Sequence, residues 1–346
     1  MENPRENKGR PFRRLAFSAL ILFSCMCALD VYGRDIFPVK IAVEFTNHAA
    51  CAYVALDMGW MEDEGLKPTI YPYVTGMSLA AALGRGDIQA AYLCLLPAIN
   101  AYANAQVPLK IVAGTHKHGY GLVANPNKVK EIRDLEKPGV RIGCVRQGGP
   151  ADAILMKAIE KYDLDPEAVL RRIQRMNPAR QIMSIKMGRL DAAFVPEHWP
   201  ALAEELGFEM LITSRDVWPN MQGSVLIVRQ ELIKDHPEIV EKLVKITCKA
   251  TRWIKQNPRA ASRVMSRWLQ VTSGQVFSSG VDEDAVKFDI IPEMMLKSML
   301  RMEYSVAIDP YLVQQMIDYA ALKGNIKAGF DAADMLDLRF MDDEER

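Results

Sequence analysis

The chain alternates short apolar strands with amphipathic helices in two successive cycles, and this alternation restricts its fold more than any other feature. In the first cycle, residues 39–45 form an apolar, β-branched run that predicts a strand. Apolar residues at helical spacing follow over 48–58, and Gly59 is placed to end that helix. Further strands are predicted at 68–74, 88–93 and 109–113, with a helix at 77–83. Such β-α-β alternation predicts a parallel sheet with helices on both faces.

A second cycle begins near residue 139. Strands are predicted at 140–144, 172–176, 191–195 and 224–228, and helices at 150–162 and 179–187. Pro150 suits the first position of its helix, because the N–H group that proline lacks would have no partner there. From Pro237 onward the pattern is mainly helical, over 237–255, 258–269, 283–300 and 309–322. The sequence therefore predicts a second α/β unit and a helical C-terminal region.

The two cycles resemble each other in detail. Gly84-Arg-Gly-Asp87 stands between a helix and a buried strand, and Pro97-Ala98 follows that strand. Gly188-Arg-Leu-Asp191 and Pro200-Ala201 occupy the same places in the second cycle. Two doubly wound α/β lobes built on one plan explain this repetition better than chance does. Such a pair of lobes is expected to hold a ligand in the cleft between them.

Length and composition agree with a two-lobed globular protein. The chain has 346 residues, of which 49% are hydrophobic and 25% charged. These values exclude a disordered chain and a multi-span membrane protein. The formal net charge is zero, so the basic excess typical of nucleic-acid binders is missing and no nucleic-acid partner is predicted.

The N-terminal segment is typical of a secretory signal. Basic residues precede an uncharged run of 15 residues, 15–29, which is too short to span a bilayer as a helix. Residues 1–30 are therefore predicted to be a signal peptide. Leu22-Phe23-Ser24-Cys25 also resembles a bacterial lipobox, so lipidation of Cys25 is an alternative to simple cleavage. The protein is expected in the periplasm.

Cysteine and histidine spacings do not indicate a metal site. Cys51, Cys94, Cys144 and Cys248 are scattered and form no CxxC pattern, and the histidines form no HxxxH pair. Disulfides remain an alternative for an exported chain, but the apolar neighbours of these cysteines favour buried thiols. No metal and no cofactor are predicted. No GxSxG motif and no cysteine nucleophile pattern occurs, so no catalytic residue is predicted either.

Ligand-binding residues are expected just after the strands, because doubly wound sheets bind ligands at the carboxyl ends of their strands. For any single one of these loops, turns and helix caps are the better explanation, but the set as a whole favours ligand binding. The candidates are Asn47, His48, Thr75, Cys94, His116, Tyr120, Gln147, Gly148, Glu197 and Trp199. His48 and Glu197 are expected to contact the ligand from opposite lobes.

The same loops carry few charges. Arg146 and Glu197 are the obvious cation and acid, and the glycines before Pro150 give weak evidence for an anion site. This composition fits a neutral or mildly basic heterocycle somewhat better than a sulfonate or nitrate.

Phe45-Thr-Asn-His48, Tyr53-Val-Ala, Gly59-Trp60 and Glu64-Gly-Leu66 resemble the opening of a group of solute-binding proteins of ABC importers. That group includes nitrate-, sulfonate- and taurine-binding proteins and proteins that bind thiamine pyrimidine precursors. The resemblance covers residues 38–270. It implies a type II periplasmic-binding-protein-like fold whose lobes close like a hinge. Crossings near 117–122 and 223–228 would divide the chain into lobe 1 (36–118 and 224–330), lobe 2 (119–223) and an acidic tail (331–346).

The resemblance implies an exported, monomeric receptor that delivers a small molecule to ABC permease subunits. Membrane contact is expected only through a lipid anchor or through docking on the permease. One alternative is an enzyme like the pyrimidine-precursor synthases, which needs a cofactor-linked lysine, for which Lys117 is the candidate. Another alternative is a sensing module that presents its closed form to a membrane receptor.

Overall fold

The computed structural model describes residues 36–277 and 288–342, except for the side chains of residues 274–277. The predicted signal peptide, Cys25 and the last four residues of the acidic tail lie outside the described residues. The strands are β1 (Phe37–Glu44), β2 (Leu66–Tyr73), β3 (Ala90–Cys94), β4 (Leu109–Lys117), β5 (Tyr120–Ala124), β6 (Ile142–Cys144), β7 (Ile173–Arg175), β8 (Ala192–Pro196), β9 (Glu209–Thr213), β10 (Gln222–Arg229) and β11 (Glu303–Tyr304).

Helices cover much of the rest of the described chain. They are α1 (Ala50–Asp57), α2 (Trp60–Asp63), α3 (Gly76–Gly84), α4 (Leu95–Ala105), α5 (Pro150–Lys161), α6 (Pro166–Leu170), α7 (Pro178–Lys186), α8 (Trp199–Glu205), α9 (Ser214–Val217), α10 (Gln230–Asp235), α11 (Pro237–Gln256), α12 (Pro258–Phe277), α13 (Pro292–Leu300) and α14 (Pro310–Leu322). Short 3₁₀ turns lie at Asn47–Ala49, Ile132–Glu136, Ala332–Asp334 and Leu338–Phe340. The helix predicted at 283–300 begins at Pro292 in the described part.

Two mixed sheets form the cores of two α/β lobes, as the sequence predicts. The first lobe has the strand order β11-β4-β10-β3-β1-β2, and the second has β7-β6-β8-β5-β9. Their central strands β3 and β8 are almost entirely buried between helices. Because both of their faces are covered, their sequences are continuous apolar runs.

The prediction of parallel sheets is wrong at β10 and β11 in the first lobe and at β5 in the second. β1 pairs with β3, and β6 with β7 and β8, in the parallel sense. β10 is antiparallel to β3 and β4, and β5 is antiparallel to β8 and β9. β5 and β10 are each the first strand after the chain crosses from one lobe to the other. The local β-α-β pattern cannot show the direction of a strand that enters from the other lobe.

The repeated sequence pattern corresponds to a repeated structural unit. Helix α3, strand β3 and helix α4 follow one another in the first lobe, and α7, β8 and α8 do so in the second. In the second copy the aspartate stabilises the lobe through buried hydrogen bonds. Asp191 is buried and accepts hydrogen bonds from Arg141 at 2.8 and 2.9 Å and from Lys128 at 2.6 Å. Asp87, its counterpart in the first lobe, is exposed.

The two crossings between the lobes lie side by side. One runs through residues 118–119, and the other through 214–221. The backbone N–H of His118 donates a 3.0 Å hydrogen bond to the carbonyl oxygen of Met221, which ties the crossings together. The first predicted crossing, 117–122, includes residues 118–119, whereas the second, 223–228, falls within β10, just after the segment 214–221.

The C-terminal region packs on both lobes. Lys323, just after α14, forms a 2.6 Å ion pair with Glu160 of α5 in the second lobe. The described part of the acidic tail packs on the first sheet, where the N–H of Ile111 donates a 2.7 Å bond to the carbonyl oxygen of Met335. Among the helices of the described residues, none combines the length and apolar character needed to cross a membrane.

Candidate functional site

A cavity of about 390 Å³ lies between the two sheets, and residues of both lobes line it. Its lining includes the ends of β1 and β3 and the start of α3 on one side, and the starts of β5, α5 and α7 on the other. The cavity is therefore in the position that doubly wound lobes predict, at the carboxyl ends of their strands. Its walls are formed mainly by apolar side chains, namely Val74, Met77, Ala81, Pro97, Val145, Pro150, Ala151, Pro178 and Pro196.

Three helices begin at residues that line the cavity. They are α3 at Gly76 in the first lobe, and α5 at Pro150 and α7 at Pro178 in the second. The first N–H groups of a helix have no partner inside the helix, and its dipole makes this end partly positive. Thr75 and Asn177 already accept a hydrogen bond from one N–H group each, and Asp152 lies in the first turn of α5, so the helix ends give the cavity only a modest preference for an anionic group.

Two charged residues line the cavity at different depths. Arg146 is exposed and precedes α5, whereas Glu44 is buried at the end of β1. Glu44 lies beneath the start of α3, where a Cβ atom on Gly76 would collide with the Glu44 carboxylate. A glycine at this position therefore lets the carboxylate occupy the inner end of the cavity.

The Cys94 thiol makes most of the polar contacts at this inner end. Its Sγ atom lies 2.9 Å from Glu44 Oε2, 2.7 Å from the Tyr120 hydroxyl and 3.3 Å from the Ser224 hydroxyl. Burial, followed by the charge of Glu44, raises the pKa of this thiol well above its usual range. Burial and the Cys94 thiol raise the pKa of Tyr120 as well. A thiol with a raised pKa is a weak nucleophile, so this cysteine is not set up for covalent catalysis.

His48 lies behind the cavity, in the contact between the lobes. Its Nδ1 atom is 3.4 Å from Cys94 Sγ, and its Nε2 atom is 2.8 Å from the carbonyl oxygen of Gly119. A carbonyl oxygen only accepts hydrogen bonds, so Nε2 carries a proton, and in the neutral ring Nδ1 carries the lone pair. The ring also packs against His116 and Tyr120, with centroid distances of 4.5 and 5.1 Å.

Two further predicted residues are buried near His48 and do not line the cavity. The side-chain amide of Asn47 donates a 2.8 Å bond to the Ser298 hydroxyl. His116 is fully buried, and burial followed by the proximity of His48 lowers its pKa well below the usual range. His116 is therefore neutral and belongs to the packing between the lobes.

Glu197 and Trp199 follow β8, the central strand of the second sheet. They lie against α13 and away from the cavity. Glu197 accepts a 2.7 Å hydrogen bond from Ser298 and pairs with Arg301 at 3.4 Å. Burial raises the pKa of Glu197, and the positive charge of Arg301 opposes this effect. Trp199 is completely buried and stacks on His198 at a centroid distance of 4.7 Å. Neither side chain lines the cavity, because α8 begins at Trp199, directly after this loop, and α13 covers the start of α8.

Gln147 and Gly148 lie beside a second cavity of about 370 Å³. The N–H group of Gly148 donates to Asp152, and a Cβ atom at Gly148 would contact Asn325 near α14. Of the ten residues predicted from the sequence, the structure therefore brings three together around the first cavity. These three are Thr75, Cys94 and Tyr120.

Glu44 was not among the residues predicted from the sequence, although its position at the end of an apolar strand could have identified it. A lone acid at the carboxyl end of a buried strand is costly unless it has a partner. Other lining residues of the predicted loops that were not among the ten candidates, such as Met77, Pro97 and Pro178, are small or apolar. Such residues cannot be told from core residues without a structure.

Relatives of known sequence agree with this architecture. The model of the NMT1-like family matches residues 37–270. A binding protein of Brucella abortus is 25% identical over 279 residues, which cover 76% of this chain and 80% of the relative. The taurine-binding periplasmic protein of Escherichia coli is 27% identical over 254 residues, covering 69% of this chain and 75% of that protein.

A solved structure shows the same fold. The alkanesulfonate-binding protein of Xanthomonas axonopodis pv. citri, bound to MOPS, superposes with a TM-score of 0.69. The likeness covers 87% of this chain and 98% of that protein, at 13% sequence identity. At this identity the comparison shows a shared two-lobed fold.

Proposed function

The chain belongs to the NMT1-like family, and from this premise we propose that it is the substrate-binding component of an ABC import system. It is exported to the periplasm, binds a small organic solute without converting it, and presents the loaded form to permease subunits. The observation that carries this proposal is the cavity between the lobes, lined from both sides. A ligand that contacts both lobes stabilises the closed arrangement over an open one, because its contacts are complete only when the lobes meet.

The solute is a small organic anion with an apolar body. The starts of α3, α5 and α7, together with Arg146, favour a negative group, and the apolar walls favour a carbon skeleton. A cavity of about 390 Å³ is large for nitrate alone. Taurine and an alkanesulfonate buffer, the ligands named for two similar proteins, have this combination of groups.

This ligand class differs from the heterocycle that the loop composition favoured. Sequence reasoning counted cationic side chains, and Arg146 is the one cation among the described residues that line the cavity. Backbone N–H groups at helix ends supply further positive potential, and they leave no trace in composition. A thiamine pyrimidine precursor is the second candidate, because the buried carboxylate of Glu44 favours it.

Mass spectrometry and calorimetry test this proposal. Small molecules released by denaturing the mature protein should include an organic sulfonate or a related anion. Thermal-shift screening with taurine, short alkanesulfonates, nitrate and a hydroxymethylpyrimidine should then show stabilisation by the organic anions. A ligand at 100 times its Kd should stabilise the fold by about 2.7 kcal/mol. Stabilisation by the pyrimidine alone would refute the anion class, and steady product formation would refute the receptor role.

Export of the protein and closure of its lobes are tested by separate measurements. The intact mass of protein from the cell envelope should correspond to a chain that starts between residues 25 and 35. An added diacylglyceryl mass at Cys25 would identify the lipid-anchored form. Small-angle scattering should show a smaller radius of gyration with saturating ligand than without it. An unchanged radius would contradict hinge closure but not ligand binding.

A further inference from the structure

We propose that Glu44, His48 and Cys94 bind a divalent transition-metal cation of the Zn²⁺ class at the inner end of the cavity. One possible ligand atom from each residue lies within 4.8 Å of the other two. The separations are 3.4 Å from His48 Nδ1 to Cys94 Sγ, 2.9 Å from Cys94 Sγ to Glu44 Oε2, and 3.8 Å from His48 Nδ1 to Glu44 Oε2. Tetrahedral zinc sites hold such atoms roughly 3.3–3.6 Å apart, as their bond lengths require. Changes of up to about 0.6 Å in these separations would produce that geometry.

The orientation of His48 is the one that a metal ligand needs. Its Nε2–H donates to the carbonyl oxygen of Gly119 at 2.8 Å, so in the neutral ring the Nδ1 lone pair faces Cys94 and Glu44. Metal-binding histidines usually have their second ring nitrogen held by a backbone carbonyl or a carboxylate in this way. Without a cation, that lone pair would have to share the single Cys94 S–H with Glu44, whose Oε2 is closer to the sulfur.

The surroundings of Cys94 suit a metal-bound thiolate. The hydroxyl groups of Tyr120 and Ser224 lie 2.7 and 3.3 Å from Sγ and can both donate hydrogen bonds to it. Hydrogen bonds to the charged form of a group stabilise that form. The Cys94 thiolate would therefore have two donors in addition to the cation.

Charge balance also favours a cation. Glu44 is only 4% exposed, and within the described residues the one basic side chain within 4 Å of its carboxylate is His48, whose neutral ring supplies no positive charge. Buried carboxylates are normally paired with a cation or bound to a metal. One divalent cation would neutralise the carboxylate of Glu44 and the thiolate of Cys94 together, leaving His48 neutral. The inner end of the cavity would then carry no net charge.

The fourth coordination position would face the cavity. Glu44 and Cys94 line the cavity, whereas His48 approaches from behind it. Three protein ligands with one open position are typical of zinc sites that bind a further molecule. If the proposed function holds, an oxygen or amine of the solute could take that position. The metal site itself does not depend on the proposed function.

Metal selectivity follows from the donor set. One sulfur, one imidazole nitrogen and one carboxylate oxygen suit Zn²⁺ or Co²⁺, while Mg²⁺ and Ca²⁺ require oxygen donors. The test uses mature, reduced, tag-free protein that has been treated with a chelator. Calorimetry with Zn²⁺ alone and elemental analysis after dialysis should give one tightly bound ion per chain. Co²⁺ should produce a thiolate-to-metal absorption band, and Mg²⁺ should not compete.

Variants test whether Cys94 and Glu44 bind the ion. Cys94→Ser should abolish the Co²⁺ band, and Glu44→Gln should keep the band but weaken binding by more than 10-fold. Cys144→Ser, which alters a buried thiol of the second lobe, is the matched control and should bind like the wild type. Should Cys94→Ser fail to fold, the wild-type band and the Glu44→Gln affinity still decide. An absent band, or equal affinity in Glu44→Gln and wild type, would overturn the proposal while leaving solute binding testable through Arg146.

Discussion

The imidazole of His48, in the first lobe, donates a hydrogen bond of 2.8 Å to the carbonyl oxygen of Gly119, in the segment that crosses to the second lobe. The backbone of Gly119 has a φ of +91°, and a Cβ atom there would lie 2.7 Å from His48 Nε2. The glycine therefore meets two requirements at once. It provides a backbone conformation that other residues avoid, and it lets the imidazole reach the crossing.

Replacing Gly119 should lower the free energy of unfolding by more than backbone strain alone would. Gly86 has nearly the same φ, +88°, but nothing lies within 4 Å of a Cβ atom there. Gly86→Ala should therefore lower the free energy of unfolding by about 1–2 kcal/mol through backbone strain. Gly119→Ala should lose a further 1–3 kcal/mol or so, because it also displaces His48. Urea denaturation of both variants measures the difference, and equal losses would show that the contact with His48 is unimportant.

Arg301 should stabilise the contact between the lobes. It pairs with Glu197 at 3.4 Å and with Glu204 at 2.6 Å, and Glu197 is only 1% exposed. Arg301→Ala leaves a buried carboxylate without its cation, so we expect a loss of about 3 kcal/mol in the free energy of unfolding. Lys297→Ala is the control, because Lys297 also pairs with Glu204 but is half exposed, and should cost less than about 1 kcal/mol. A comparable loss in the two variants would argue against this role.

His118 should make the fold less stable in mild acid. Burial and then Arg215 lower the pKa of its imidazole to about 4, while Glu303 opposes this shift and Lys117 adds to it. The unfolded chain, with a pKa near 6.5, takes up the proton first as the pH falls. Stability that is fully present above pH 6.5 is therefore lost progressively toward pH 4.

The variant His118→Asn isolates this contribution. Asparagine accepts the positive φ of +65° at this position better than most residues do. Between pH 7 and pH 5 the wild type should lose about 2 kcal/mol more unfolding free energy than the variant. Urea denaturation at several pH values provides the comparison. Parallel pH profiles for the two proteins would show that His118 does not titrate as its burial implies.

Arg146 should contribute to the binding of an anionic solute. It lines the cavity from an exposed position before α5. Arg146→Gln should weaken binding by about 5- to 20-fold, the range for an exposed charge-assisted hydrogen bond, and should weaken the salt dependence of binding. Arg189→Gln, which removes an exposed charge outside the cavity lining, should leave the affinity unchanged. Calorimetry in low and high salt makes the measurement, and a solute insensitive to Arg146 would point to a neutral ligand.

Part of the site could be predicted because position along a strand predicts position in a sheet. Thr75, Cys94 and Tyr120 line the cavity: Cys94 ends β3, Thr75 lies two residues after β2, and Tyr120 begins β5 instead of following β4 directly. His48 and Glu197 occupy comparable positions in the sequence, yet neither lines the cavity. Their side chains enter the contact between the lobes, with Gly119 and Arg301 as partners. Those partners are distant in sequence, so no local pattern reveals them.

The amino-acid sequence by itself determined the two α/β cycles, their repeated plan and the edge of each sheet at which a ligand would bind. These features depend on the spacing of apolar residues and on glycine and proline at helix ends, which act within a few residues. Only the tertiary structure decided that β5 and β10 run antiparallel to their neighbours. It also brought the starts of α3, α5 and α7 together around one cavity and placed Glu44, His48 and Cys94 within a single cluster. The physical reason is that these arrangements depend on which surfaces two separate lobes bury against each other, a long-range condition that local propensity does not record.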